Sequence, residues 1–119
     1  MKYLIAAAAP NFDAKIAKRF GHAPYYIILD PVTRSFEAIK GVSNKEPSYN
    51  IGHFIGKGIG AVILGNVGPN AFRNLIAAGW VVYSCIGLSV KEAVDKVSRG
   101  EVASLKTPTM KRSVRPGSN

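Results

Sequence analysis

The chain has a single cysteine, Cys85, among 119 residues. One thiol cannot build a disulfide framework, and it cannot furnish a Cys-rich zinc site or a Cys-ligated iron–sulfur cluster, which take several thiolates. No apolar run approaches the roughly 18 residues of a membrane span. The apolar stretch 3–9 is followed at once by Pro10 and Asn11, too soon for a signal core with its cleavage site, so it reads as a buried strand and the expected compartment is cytoplasmic. Acidic residues are scarce, 7 against 16 basic, for a net charge of +9. Catalytic signatures are missing as well. There is no Ser/His/Asp set and no paired carboxylates, and Gly56-Lys57-Gly58-Ile59-Gly60 has neither the spacing nor the Lys-Ser/Thr ending of a phosphate-binding loop. A two-metal nuclease needs clustered carboxylates, yet strand 1 has none and Asp30 falls at the far end of its hairpin strand. The chain reads as a non-enzyme.

What is present specifies one domain. Hydrophobic residues make up 47% of the chain, enough for a real core, and 119 residues suit one domain rather than two. Residues 3–8 form a continuous apolar run, as in a central strand buried on both faces. Residues 24–30 are aromatic and β-branched, and residues 35–40 alternate across the turn Asp30-Pro31-Val32-Thr33, which predicts a hairpin. Ile51, Phe54 and Ile55 have helical spacing, which predicts a helix over 49–58 in which Gly52 and Gly56 share a face. Residues 61–64 and 80–84 read as further buried strands. Pro69 and Gly79 bracket a second helix, and the capping box Ser89-Val90-Lys91-Glu92 opens a third that Gly100 closes. Residues 1–102 are thus the expected domain, and 103–119 a flexible basic tail with Lys106, Lys111, Arg112 and Arg115.

Right-handed crossovers and one edge hairpin turn this order into an α/β fold: a five-stranded mixed sheet, order 3-2-1-4-5, strand 2 antiparallel, helices on both faces. The ends of strands 1, 3, 4 and 5 and the start of strand 2 then share one edge, the side where open α/β sheets bind ligands. Residues 9–22, the region before His53, 65–70 and 85–89 converge there. His22 is expected to begin strand 2. His53 and Lys57, four apart on the predicted helix, share a face. The turn Gly65-Asn66-Val67-Gly68-Pro69-Asn70 leads into a helix N-terminus whose amides favour an anion. Imidazole can ligate a metal, and lysine or arginine can neutralise anionic sulfur. Each residue has a plainer reading too: His53 as a surface histidine, His22 as a strand cap, Cys85 as a small buried apolar residue, and the turn as strand-to-helix geometry alone.

At Arg19-Phe20-Gly21-His22-Ala23-Pro24-Tyr25-Tyr26, and again at Gly65-Asn66-Val67-Gly68-Pro69-Asn70-Ala71, the chain resembles the dinitrogenase iron–molybdenum cofactor-binding domain family, over about residues 2–101. The resemblance implies a ribonuclease H-like α/β fold and the binding of iron–molybdenum cofactor or a related cluster. The orange-protein branch, similar in size, carries a molybdenum–copper sulfide cluster without covalent attachment. The chain departs from the family at Arg19, where members commonly have histidine.

By that resemblance the expected function is a non-catalytic carrier of an anionic molybdenum-containing metal–sulfur cluster. Its expected contacts are Arg19, His22, His53, Lys57, Gly68 and Asn70, with His53, His22 and Cys85 as candidate metal ligands. Relatives often occur beside nucleotide-binding ATPases, which suggests a delivery partner or a regulatory adaptor role. Nucleic-acid binding through the basic tail, steeply salt-dependent, is the competing expectation.

Overall fold

In the computed structural model, the described residues are 1–41 and 51–110. They form the five-stranded sheet that the sequence predicts, in the order β3-β2-β1-β4-β5. The strands are β1 (Lys2–Ala7), β2 (Tyr25–Leu29), β3 (Phe36–Lys40), β4 (Ile59–Leu64) and β5 (Val81–Ser84). β2 runs antiparallel to both neighbours, whereas β1–β4 and β4–β5 are parallel pairs.

The apolar run of β1 is central because both of its faces are covered. Leu4 and Ala6 point into one core layer and Tyr3, Ile5 and Ala7 into the other. β4 splits the same way, Val62 and Leu64 against Ala61 and Ile63, and so does β2, Tyr26 and Ile28 against Ile27 and Leu29. This is the two-residue period of a pleated strand with a layer on each side. Helix α1 (Pro69–Ala77) closes the first layer with Leu75, joined by Phe20, Phe54, Val67 and Trp80. Helix α2 (Val90–Ser98) closes the second with Val90, Ala93, Val94 and Val97.

The capping box of α2 is formed on both sides. The Glu92 amide donates to Ser89 Oγ at 3.1 Å, and the Ser89 amide donates to Glu92 Oε1 at 3.0 Å. The Ser89 backbone N–H, and then its hydroxyl, hold the Glu92 carboxyl below the usual glutamate pKa. A carboxylate whose pKa is depressed on folding stabilises the fold above its unfolded pKa, and that contribution drains away as pH falls through the folded value. Ser89→Ala is therefore expected to cost about 1 kcal/mol at neutral pH. From about pH 5 downward its stability should fall less steeply than wild type. Urea melts of both proteins at several pH values check this.

One predicted element is not formed. In place of a helix over 49–58 there is a short 3-10 turn, Ile51–His53, followed by further turns. Gly56 and Gly58 adopt φ of +87° and +80°, a left-handed conformation that no α-helix can accommodate. The glycines end the helical path rather than bring a helix close to the sheet. Phe54 keeps the expected inward role, its ring 5.7 Å from that of Tyr26, whereas Ile55 is exposed. Tyr49 and Asn50 lie outside the described residues.

Of the expected tail, residues 103–110 lie along the sheet. The Leu105 amide donates to the Val82 carbonyl at 2.7 Å, and its side chain packs on the first layer. Lys111, Arg112 and Arg115 lie outside the described residues.

Candidate functional site

The C-terminal edge of the sheet is overlaid by the long loop between β1 and β2. Backbone hydrogen bonds stitch this loop down along its length. The Ala17 amide donates to Ala6 at 2.9 Å, Ile16 to Leu88 at 2.9 Å, and Ala8 to Lys15 at 2.9 Å. Farther along, the Asn66 amide donates to the Lys18 carbonyl at 2.8 Å and the Phe20 amide to the Asn66 carbonyl at 2.9 Å, a parallel bridge that places Arg19 beside Asn66. Ile16, Ala17, Phe20 and Ala23 are buried as anchors. Phe20 stands edge-on to Tyr26, ring centroids 5.6 Å apart, and the Tyr26 hydroxyl donates to the Phe20 carbonyl.

With its apolar residues inward, the loop turns its basic ones outward. Lys15, Lys18, Arg19 and His22 are all exposed. Together with Ala8, Ile16, Ala17 and Pro24 they line an open hollow of about 470 Å³. Three cations and an imidazole thus ring a largely apolar floor, with no carboxylate among the lining residues. The ion pairs among the described residues, Arg34–Asp95, Lys96–Glu101 and Arg99–Glu101, lie at the other edge, where the β2–β3 turn meets the end of α2. None of them engages a cation of the hollow. The Lys15 ammonium reaches the Gly87 carbonyl at 3.3 Å.

Of the residues singled out in the sequence, Arg19 and His22 meet in this hollow. His22 ends a 3-10 turn, Phe20–His22, three residues ahead of the strand it was expected to begin. His53 is exposed and is not among the lining residues. Lys57 is not on a shared helical face with it. Lys57 precedes Gly58, whose carbonyl accepts from Lys2 at the start of β1, so Lys57 sits at the opposite edge of the sheet. Gly68 is the buried N-cap of α1, and Asn70 accepts from Arg73 Nη2 at 2.8 Å through its side-chain oxygen. Neither lines the hollow. Cys85 is a core residue, 4% exposed, packed in the α2 layer. Burial pushes its thiol pKa up, away from the thiolate that metal ligation requires, and Cys85 is not among the residues lining the hollow.

Lys15 and Lys18 are the residues that sequence reasoning missed. The available signal was the pattern Lys15-Ile16-Ala17-Lys18-Arg19, an apolar pair fixed between cations. Only the bridges to Leu88, Ala6 and Asn66 reveal that the pair is an anchor.

Residues 1–100 match the family described as dinitrogenase iron-molybdenum cofactor. The apo orange protein from Desulfovibrio gigas superposes with a TM-score of 0.81 at 29% identity, covering 92% of this chain and 96% of that one. A putative NifB protein from Thermotoga gives 0.74 at 30% identity, covering 98% of each chain. A putative dinitrogenase from Methanocaldococcus jannaschii gives 0.71 at 18% identity, covering 91% of this chain and 97% of that one, and so shares the fold. No curated protein matches the chain. No described helix is long and apolar enough to cross a membrane. On the match across residues 1–100, the chain belongs to the dinitrogenase iron–molybdenum cofactor family.

Proposed function

We propose that the chain is a non-catalytic carrier that holds an anionic molybdenum-containing metal–sulfur cluster non-covalently in the hollow at the C-terminal edge of the sheet. The observation behind this reading is the hollow's charge: Lys15, Lys18 and Arg19 ring it with no carboxylate in its lining, while the ion pairs gather at the opposite edge. Family membership and the likeness to the orange protein support a cofactor-binding or carrier role.

The chemistry of the lining suits such a cargo. A thiometallate presents multiple negative charge on a soft, polarisable sulfide surface. Lysine and arginine answer the charge, and the side chains of Ala8, Ile16, Ala17 and Pro24 give the sulfides an apolar seat. His22 supplies either a nitrogen ligand or an N–H donor. Among the described residues there is no group of three or more His, Cys, Asp and Glu side chains placed to hold a bare metal ion. A cluster that brings its own sulfide ligands needs no such group. The volume falls within the range of small-ligand clefts. The reading includes a cytoplasmic setting and a partner protein, such as a nucleotide-binding ATPase, that loads or unloads the cluster.

Anaerobic addition of tetrathiomolybdate with copper(I), followed by gel filtration, tests the reading. Visible charge-transfer bands and molybdenum should elute with the protein. In His22→Ala the bands should shift or weaken, and the double variant His22→Ala/His53→Ala decides whether the second histidine adds anything. Colour that elutes wholly with the small molecules contradicts the proposal. Uptake unchanged in the double variant contradicts the histidine contacts.

A further inference from the structure

The geometry points to Thr109 as a positioning residue for the cation-lined hollow, acting through the turn at 65–70. The inference rests on the carrier reading for what the hollow binds, but its structural half stands separately. The family match ends at residue 100, so Thr109 lies beyond the matched residues. Its contacts are nevertheless made to the turn that the family resemblance singles out. The Val67 amide donates to Thr109 Oγ1 at 2.8 Å, and the Thr109 and Met110 amides both reach back to the Val67 carbonyl, at 3.1 and 3.2 Å. Both polar backbone groups of Val67 are therefore taken up by this strap, while its side chain is buried in the first core layer. Leu105 fixes the strap at its other end through the Val82 carbonyl and the same layer.

From Val67 the linkage to the hollow is one residue long. Asn66 gives its amide to the Lys18 carbonyl and its carbonyl to the Phe20 amide, so the backbone on either side of Arg19 is set by Asn66. Lys18, Arg19 and His22 all extend from that segment into the lining. A shift of the turn moves these groups together. An amide left without its hydroxyl partner in a part-buried place costs free energy and gives the turn reason to move. Binding by several cations at once demands that they be held in place before the anion arrives.

The test compares full-length, ¹⁵N-labelled wild type with Thr109→Val, which keeps the shape and removes the hydroxyl, and Thr109→Ser, which restores it. Thr109→Val should raise hydrogen exchange at the Val67, Asn66 and Phe20 amides at least about tenfold, with the melting temperature within a few degrees of wild type, and Thr109→Ser should restore protection. Affinity for tetrathiomolybdate should fall about fivefold to tenfold in Thr109→Val and recover in Thr109→Ser. Unchanged exchange at all three amides overturns the proposal whatever the ligand result. Loosened amides with wild-type affinity overturn it too, because the strap then does not position the hollow. A wild-type chain that binds tetrathiomolybdate neither alone nor with copper(I) overturns the carrier reading and with it the affinity half of the proposal, while the exchange data still decide the structural half.

Discussion

Joint replacement of Lys15, Lys18 and Arg19 by glutamine is expected to weaken uptake of a thiomolybdate anion by about 100-fold or more. A dianion roughly 5 Å from a cation gains on the order of 1 kcal/mol even in water-like dielectric, so three such cations supply about two factors of ten. The cost to the fold should be small. All three side chains are exposed, and none joins an ion pair among the described residues. What anchors the loop is its backbone bridges and the buried Ile16, Ala17 and Phe20, which the variant retains. Salt gives a second handle. Exposed charges are screened within about 8–10 Å at physiological ionic strength, so wild-type affinity should fall with added salt and that of the triple variant should hardly change. Titration by visible absorbance at two salt concentrations checks both statements. Equal affinity in wild type and variant contradicts the electrostatic account.

Gly65→Ala is expected to be the most damaging single substitution at this edge. A Cβ at this position would lie 2.4 Å from the Ala17 carbonyl oxygen and 3.0 Å from that of Lys18. Both are backbone atoms, so no side-chain rotation relieves the contact. The Gly65 carbonyl also accepts from the Ser84 hydroxyl at 2.7 Å, which ties the residue to β5 from the other side. Relief requires the site loop to lift away, breaking the pairing of Asn66 with Lys18 and Phe20. Overpacking of this kind costs about 2–3 kcal/mol, which lowers the melting temperature by about 10 °C in a domain of this size. Because the lifted segment holds Lys18 and Arg19, anion uptake should fall together with stability. Calorimetry and tetrathiomolybdate titration on the same preparation check the pair of effects.

The strand order and both α-helices were legible because they rest on local patterns. The residue 3–8 run, the hairpin alternation and the Ser89–Glu92 box each specify one element with little reference to the rest of the chain. The stretch 49–58 was misleading because Ile51, Phe54 and Ile55 have helical spacing, whereas the backbone is governed by Gly56 and Gly58 at positive φ. Spacing alone does not distinguish a glycine that lets a helix pack closely from one that ends it. The candidate site was legible only in part. Arg19 and His22 stand in a motif, but Lys15 and Lys18 look like ordinary solvated lysines until long-range bridges fix the backbone between them. Lys57 was misplaced because its position followed from the helix that does not form. Residues 103–110 looked like tail because Leu105 is isolated among polar and turn-forming residues, and its partner carbonyl on Val82 is distant in sequence.

The most direct test of the central claim is the molybdenum, copper, iron and sulfide content, with the visible spectrum, of the chain purified anaerobically from its native host. A cation-lined hollow that serves as a cluster seat predicts molybdenum and acid-labile sulfide co-purifying with the protein, together with visible charge-transfer bands that vanish in the Lys15/Lys18/Arg19 triple glutamine variant. Colourless protein free of molybdenum and sulfide, or the same bands retained at full strength in that variant, contradicts it.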